Sequence, residues 1–273
     1  MTTSDKPQAR SYESLYEDFD SPLMSRLRGA AYGEDIGQHS WVTTDDLRRD
    51  VARLQLSGQH KVLDLGCGPC GPLTFIMKAT GCSGYGIDLS GAALAAGRRR
   101  AASMAIEDRL EAREADLDAE LSLAPGAFDS AISFDVVLHL RDRPRVFQEI
   151  SRALRAGGRF LFTDAGVITG AISSEEVATR SMHGFAQFCA PGFNESMLED
   201  SGFVLLETED RTPALLRNAR GRLEARIRYQ SDFEQREGVA GFACYQTYLR
   251  SIISMSERGG LSRIMYLAEV RAG

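Results

Sequence analysis

From residue 61 to residue 164, short β-prone runs alternate with helix-forming stretches, and this rhythm restricts the fold more than any other property of the chain. The runs are KVLDLG (61–66), GYGID (84–88), RLEAREAD (109–116), FDSAISF (128–134) and RFLFTD (159–164). SGAALAAGRRRAASMA (90–105) and RPRVFQEISRAL (143–154) read as intervening helices. Strand–helix alternation with short links predicts a parallel sheet wound by right-handed crossovers. Ligands of such sheets lie at the carboxyl ends of the strands, near the switch point.

The flanks depart from the alternation. GFVLLETED (202–210) and LSRIMYLAEV (261–270) read as two more strands, giving seven, and the roughly 50 residues between them are mostly helix-forming. Such a stretch is better placed as a helical cap over 211–260 than as a loop. At the other end, residues 1–10 are polar and expected to be disordered, and 11–56 form an N-terminal helical lid. Within it, the spacing of Tyr12, Leu15, Tyr16, Phe19, Leu23 and Leu27 suits one apolar helix face interrupted near Pro22. Thr43 or Thr44 is placed to cap a helix through Leu47, Val51 and Leu54. The expectation is an α/β protein with a doubly wound, mostly parallel seven-stranded sheet whose core comprises 57–210 and 261–273.

A net charge of −6 over 273 residues argues against a nucleic-acid or anionic-membrane surface and points to a small-molecule partner. No run approaches the roughly 18 consecutive apolar residues of a membrane helix, and MTTSDKPQAR lacks the apolar core of a signal peptide. A cytoplasmic protein is expected, able to exist as a homo-oligomer. Five cysteines, an odd number in a chain of this size, suit free thiols in a reducing compartment.

VLDLGCGPCG (62–71) satisfies three patterns at once: C-x-x-C, G-x-G-x-x-G and D-x-G-x-G. A structural zinc needs two further ligands, and no second C-x-x-C or H-x-x-x-H exists, so no metal is expected. The glycine spacing, with Asp88 closing the second strand 22 residues after Gly66, suits an adenosine-containing cofactor. Asp64 narrows the choice. A carboxylate two residues before the loop repels a pyrophosphate and attracts an ammonium group, which favours S-adenosylmethionine over a nicotinamide dinucleotide.

VLDLGCGPCG, YGIDLS (85–90), EADLD (114–118), FDSAISFDVVLHL (128–140) and ALRAGGRFLFTD (153–164), in that order, resemble the class I S-adenosylmethionine-dependent methyltransferases, which have a Rossmann-like fold. The resemblance implies that the loop at Gly66, Cys67 and Gly68 wraps the methionine part, with Asp64 beside it, and that Asp88 takes the ribose hydroxyls. It further implies that Leu89 packs on the adenine, that Asp116 and Leu117 read its edge, and that the carbonyl of Phe134 meets the ammonium. Tyr16, Ile36 and Trp41 resemble a lid closing over cofactor and substrate.

Methyl transfer is an in-line displacement, and a base is needed only where the nucleophile must lose a proton. If a helical turn follows Phe134, Asp135 and His139 share a face at i, i+4, and Asp164 lies on the same sheet edge, placed to orient the imidazole. His139 is the candidate base. Phosphoethanolamine methyltransferases and the methyltransferases of natural-product sugars resemble the chain here. Ala165, Gly184 and Ala186 depart from the phosphobase pattern, which places a Tyr, an Arg and a Tyr there. Trp41, His183, Phe185, Tyr229, Tyr245 and Tyr248 are candidates to line an apolar acceptor pocket, which suits a secondary metabolite. Arg217, Arg220, Arg222, Arg226 and Arg228 either meet an acceptor carboxylate or phosphate or form a solvated helix face. Methyl transfer to an oxygen or nitrogen of a small metabolite is the expectation, and three alternatives keep parts of this picture: a phosphobase-type N-methyltransferase, a protein of the same fold that catalyses cyclisation without methyl transfer, and a nicotinamide-dependent oxidoreductase.

Overall fold

The computed structural model describes residues 15–182 and 184–271. Residues 1–14, which hold the expected tail and Tyr12, and His183 lie outside the described residues.

Seven strands form one sheet: β1 Lys61–Leu65, β2 Ser83–Asp88, β3 Leu110–Glu114, β4 Phe128–Phe134, β5 Leu154–Ile168, β6 Phe203–Asp210 and β7 Leu261–Val270. Their spatial order is β3-β2-β1-β4-β5-β7-β6, and only β7 runs antiparallel to its neighbours. The order reverses direction between β1 and β4, so a crevice opens beyond their carboxyl ends.

Both faces of the central strands are covered, which is why β1, β4 and β5 are largely apolar rather than alternating, whereas the edge strands β3 and β6 are polar and largely exposed. Val62, Ile132, Leu161 and Met265 pack on one side, and Leu63, Ala131, Phe160, Phe162 and Tyr266 on the other. Phe147, from the helix Arg143–Ala153, meets Phe160 and Phe162 edge-on at 5.4 and 5.2 Å. Each such side chain contributes about 1.5–3 kcal/mol by leaving water.

The helices, in chain order, are α1 Pro22–Tyr32, α2 Thr44–Leu54, α3 Gly71–Thr80, α4 Gly91–Ser103, α5 Arg143–Ala153, α6 Ser174–Arg180, α7 Phe193–Asp200, α8 Thr212–Arg228 and α9 Gln230–Glu257. Pro22 begins α1 instead of interrupting a longer helix: its missing N–H falls where no partner is needed, and the Ser21 hydroxyl accepts from Met24 N at 3.3 Å. Thr43 caps α2 in a reciprocal box with Asp46, at 3.1 and 3.2 Å. The helical stretch expected between β6 and β7 is the pair α8 and α9, the latter kinked at Gly238, whose φ is 77°. Trp41, Ala165, Leu215, Ala219, Leu249 and Ile252 form a small core that joins the N-terminal segment, β5 and this helical pair.

Candidate active site

A cavity of about 600 Å³ lies at the carboxyl ends of β1, β2 and β4, with α8, α9 and the loop before α2 on its far side. Its first half is built from the turn between β1 and α3. Gly66 adopts φ 71°, and a Cβ there would meet Val136 Cγ2 at 2.5 Å, so only glycine fits. The N–H groups of Gly66 and Cys67 both donate to Ile87 O, at 2.8 and 3.0 Å. At Gly71 a Cβ would lie 2.4 Å from Gly37 O, so the lid backbone rests directly on the start of α3.

Two carboxylates face this turn. Asp88 accepts from Gly68 N at 2.7 Å and Ser90 N at 2.9 Å, which fixes the loop. Asp64 lines the cavity, is only 2% exposed, and has no hydrogen-bond partner among the described residues. Its pKa stands well above the usual carboxylate range because burial disfavours the charge and Asp88 adds like charge. A cationic ligand beside this carboxyl would favour its ionised form and supply the partner that the site lacks. Leu89, Asp116, Leu117, Phe134 and Tyr16 line the same half. Asp116 also closes a turn, accepting from Asp118 N at 2.9 Å.

Cys67 and Cys70 are both buried, with sulfurs 3.6 Å apart, and burial pushes the Cys67 thiol up. A thiol so placed is a poor nucleophile and a poor metal ligand. Among the described residues no group of three His, Cys, Asp or Glu is arranged to hold a metal.

The second half of the cavity contains His139, at the end of a one-turn 3-10 helix, Val137–His139. Its Nδ1 lies 2.8 Å from Phe185 O. A carbonyl only accepts, so Nδ1 carries the proton and Nε2 the lone pair. Burial pulls the pKa down to about 4; the Phe185 carbonyl works against that shift and the charge of Arg180 adds to it.

The carboxylates expected to serve this imidazole are engaged elsewhere. Asp135 has φ 61°, which ends the run before a helix can form and turns its side chain away from an i, i+4 contact. It accepts from Arg263 Nε at 2.7 Å, Thr163 Oγ1 at 2.9 Å and Trp41 N at 2.7 Å, and so anchors the lid loop. Asp164 is fully buried and lines no part of the cavity, because β5 continues four residues beyond it to Ile168. It binds Arg143 Nη1 and Asn194 Nδ2, both at 3.0 Å, and Gly166 N at 2.8 Å. Arg143 in turn donates to Gln187 O at 3.1 Å, in the segment that carries the Phe185 carbonyl. Asp164 therefore makes no hydrogen bond to His139 and connects to it by hydrogen bonds through Arg143 and the 185–187 segment, although its charge acts on the imidazole.

Two further expectations fail. Ile36 does not line the cavity; its side chain packs with Cys67, Cys70 and Leu73, and only its backbone approaches the loop. Tyr229 lies outside as well, among Met24, Leu27 and Phe233, with Arg26 4.9 Å from its ring centroid. Trp41, Phe185, Tyr245 and Tyr248 line the cavity together with His139. Of the basic residues on α8, Arg217, Arg220 and Arg228 are exposed, Arg226 is buried against Phe233 and Glu237, and Arg222 reaches the cavity. Sequence reasoning missed Arg180 and Arg263. Nothing in the period of α6 marks Arg180, and Arg263 occupies an ordinary strand position.

A Rossmann-like sheet whose glycine turn is flanked by carboxylates, beside a second, histidine-bearing half, defines a nucleoside-cofactor enzyme with a cationic cofactor. The family described as "Methyltransferase domain" matches residues 63–162. Methyltransferase GfsG of Streptomyces halstedii is 34% identical over 164 residues, 58% of each chain. The sarcosine/dimethylglycine N-methyltransferase of Halorhodospira halochloris is 30% identical over 226 residues, 76% of this chain and 75% of that one. Among solved structures, the [4+2]-cyclase SpnF shares the fold over 100% of both chains, with a TM-score of 0.77 and 21% identity. The chain belongs to the S-adenosylmethionine-dependent methyltransferases, whose cofactor is S-adenosyl-L-methionine. It spans little more than half the length of the first of these relatives. No helix among the described residues is long and apolar enough to cross a membrane.

Proposed function

We propose that this protein transfers a methyl group from S-adenosylmethionine to an oxygen or nitrogen of a small-molecule acceptor, with His139 as general base. The observation that carries the reading is one continuous cavity with the partnerless Asp64 and loop-fixing Asp88 in one half and the oriented imidazole of His139 in the other.

Asp64 would hold the ammonium group, Asp88 the ribose hydroxyls, Leu89 and Leu117 the adenine faces and Asp116 its edge, while Tyr16 closes over Gly68. The Phe134 carbonyl would complete the ammonium site. The bound cofactor supplies a methyl group already activated on a sulfonium. What remains for the chain is to align the acceptor, exclude water and accept one proton. His139 is neutral at pH 7, because its pKa is about 4, and presents Nε2 as the accepting atom. The Phe185 carbonyl, facing Nδ1–H, stabilises the imidazolium that results.

The residues before α2 serve as a lid, fastened by Asp135 to the backbone of Trp41, and α8 with α9 serves as the cap over the acceptor. A dinucleotide is disfavoured because Asp64 would face a pyrophosphate. A phosphobase acceptor gripped as in the phosphoethanolamine enzymes is disfavoured because Ala165, fully buried against Trp41 and Leu249, offers no hydroxyl.

The test is incubation with trideuteromethyl-labelled S-adenosylmethionine and a pool of hydroxylated and aminated metabolites, read by mass spectrometry. Label is expected in a product, and His139→Asn should reduce it strongly. A product that requires the protein and the cofactor but carries no label would overturn methyl transfer in favour of the cyclase reading.

A further inference from the structure

The described residues include seven buried arginines: Arg28, Arg143, Arg180, Arg211, Arg222, Arg226 and Arg263. Five are paired with a carboxylate: Arg28 with Asp35, Arg143 with Asp164, Arg211 with Asp50, Arg226 with Glu237 and Arg263 with Asp135. Arg180 and Arg222, each 5% exposed, have no carboxylate within ion-pair distance among the described residues, and both line the acceptor half of the cavity.

Neutral groups hold them in place. Arg180 donates through Nη1 to the Tyr248 hydroxyl at 3.0 Å, while its Nε is buried with no partner. Arg222 stacks over Trp41 at 4.3 Å and donates to the carbonyls of His39 and Ser40, the latter at 3.1 Å. Both side chains line the same cavity as Tyr248, whose hydroxyl Arg180 contacts. A buried cation without a counter-ion is costly, and guanidinium forks match oxyanions in shape and charge. The carboxylates of the cavity do not balance them: Asp64, Asp88 and Asp116 belong to the loop half, Asp118 accepts from the backbone N–H groups of Arg141 and Asp142, and Asp135 is taken by Arg263.

We propose that the acceptor carries an oxyanion, a carboxylate or a phosphate, seated between Arg180 and Arg222 against Tyr248. This deepens the methyltransferase reading and rests on it. The cavity is then polarised, with carboxylates for a cationic cofactor at one end and guanidiniums for an anionic acceptor at the other. Seating the oxyanion also relieves His139 of the Arg180 charge that lowers its basicity, so the base strengthens when the acceptor arrives.

The test is calorimetric titration of benzoate, phenyl phosphate and the neutral control benzamide into the protein, both ligand-free and loaded with S-adenosylhomocysteine. At least one anion is expected to bind more tightly than benzamide by about tenfold or more. Which of the two binds separates carboxylate from phosphate. Arg180→Gln should abolish the preference, and Arg180→Lys should retain part of it. The wild-type comparison of charged with neutral ligand needs no variant, so a variant that fails to fold leaves the test intact. Equal binding of benzoate and benzamide, or no binding of either anion at millimolar concentration, would overturn the proposal. Binding of S-adenosylhomocysteine is read separately: its absence refutes the cofactor assignment whether or not an anion binds.

Discussion

Asp64→Asn separates binding from stability at one atom pair. Asp64 is a buried carboxyl with no hydrogen-bond partner among the described residues, so ionising it in the ligand-free protein is costly. With its pKa raised above the ordinary 3.8, the folded state holds this proton more tightly than the unfolded chain. Stability is therefore lost as pH rises above that ordinary value, by about 1.4 kcal/mol per pH step of one until the folded carboxyl itself ionises. The Asn variant does not titrate, so its melting temperature should fall less between pH 5 and pH 8 than that of the wild type, by about 2–4 °C for each kcal/mol relieved. Binding should move the other way. A hydrogen bond to a charged group contributes about 1.5–3 kcal/mol, which predicts a loss of roughly tenfold to a hundredfold in affinity for S-adenosylhomocysteine. Differential scanning fluorimetry across pH and isothermal titration read the two effects. A variant that binds as tightly as the wild type would refute the ammonium assignment, and one with the same pH slope would refute the buried, unpaired charge.

Three other outcomes follow from the same geometry. A His139 pKa lowered from 6.5 to about 4 means that the unfolded chain gains a proton before the folded one does, so stability should fall as pH drops through that window, by about 3 kcal/mol in total. His139→Gln should flatten this part of a urea-denaturation profile. Arg143→Met strands Asp164 as a buried, unpaired charge and should cost about 3–5 kcal/mol, measured by chemical denaturation. Native alkylation with iodoacetamide at neutral pH should label Cys244, the exposed cysteine, and spare Cys67, Cys70, Cys82 and Cys189 until the chain unfolds.

The sheet was legible because its signal is local. The central strands are apolar runs ended by turns, which period and length suffice to place, and the polar edge strand β3 is placed by the alternation around it. The loop half of the site was legible for the same reason, since Asp64, Gly66, Gly68 and Asp88 come from consecutive strand ends whose order the alternation dictates. The acceptor half was not. Its geometry depends on contacts between residues distant in sequence: Phe185 O on His139, Arg263 on Asp135 and Arg180 on Tyr248. Asp164 failed as the orienting acid because the antiparallel pairing of β5 with β7 extends the strand past it and buries it. Ile36 and Tyr229 are apolar residues of the right type on the right segments, but side-chain direction, which composition does not encode, turns both into the core.

The cofactor assignment supports every later step, and calorimetric titration of S-adenosylhomocysteine and of NAD into the wild-type protein and Asp88→Ala tests it most directly. S-adenosylhomocysteine should bind the wild type at one site, bind the variant at least tenfold more weakly as a roughly 1.5 kcal/mol loss implies, and leave NAD without measurable heat. Tight binding of NAD with none of S-adenosylhomocysteine would contradict the account.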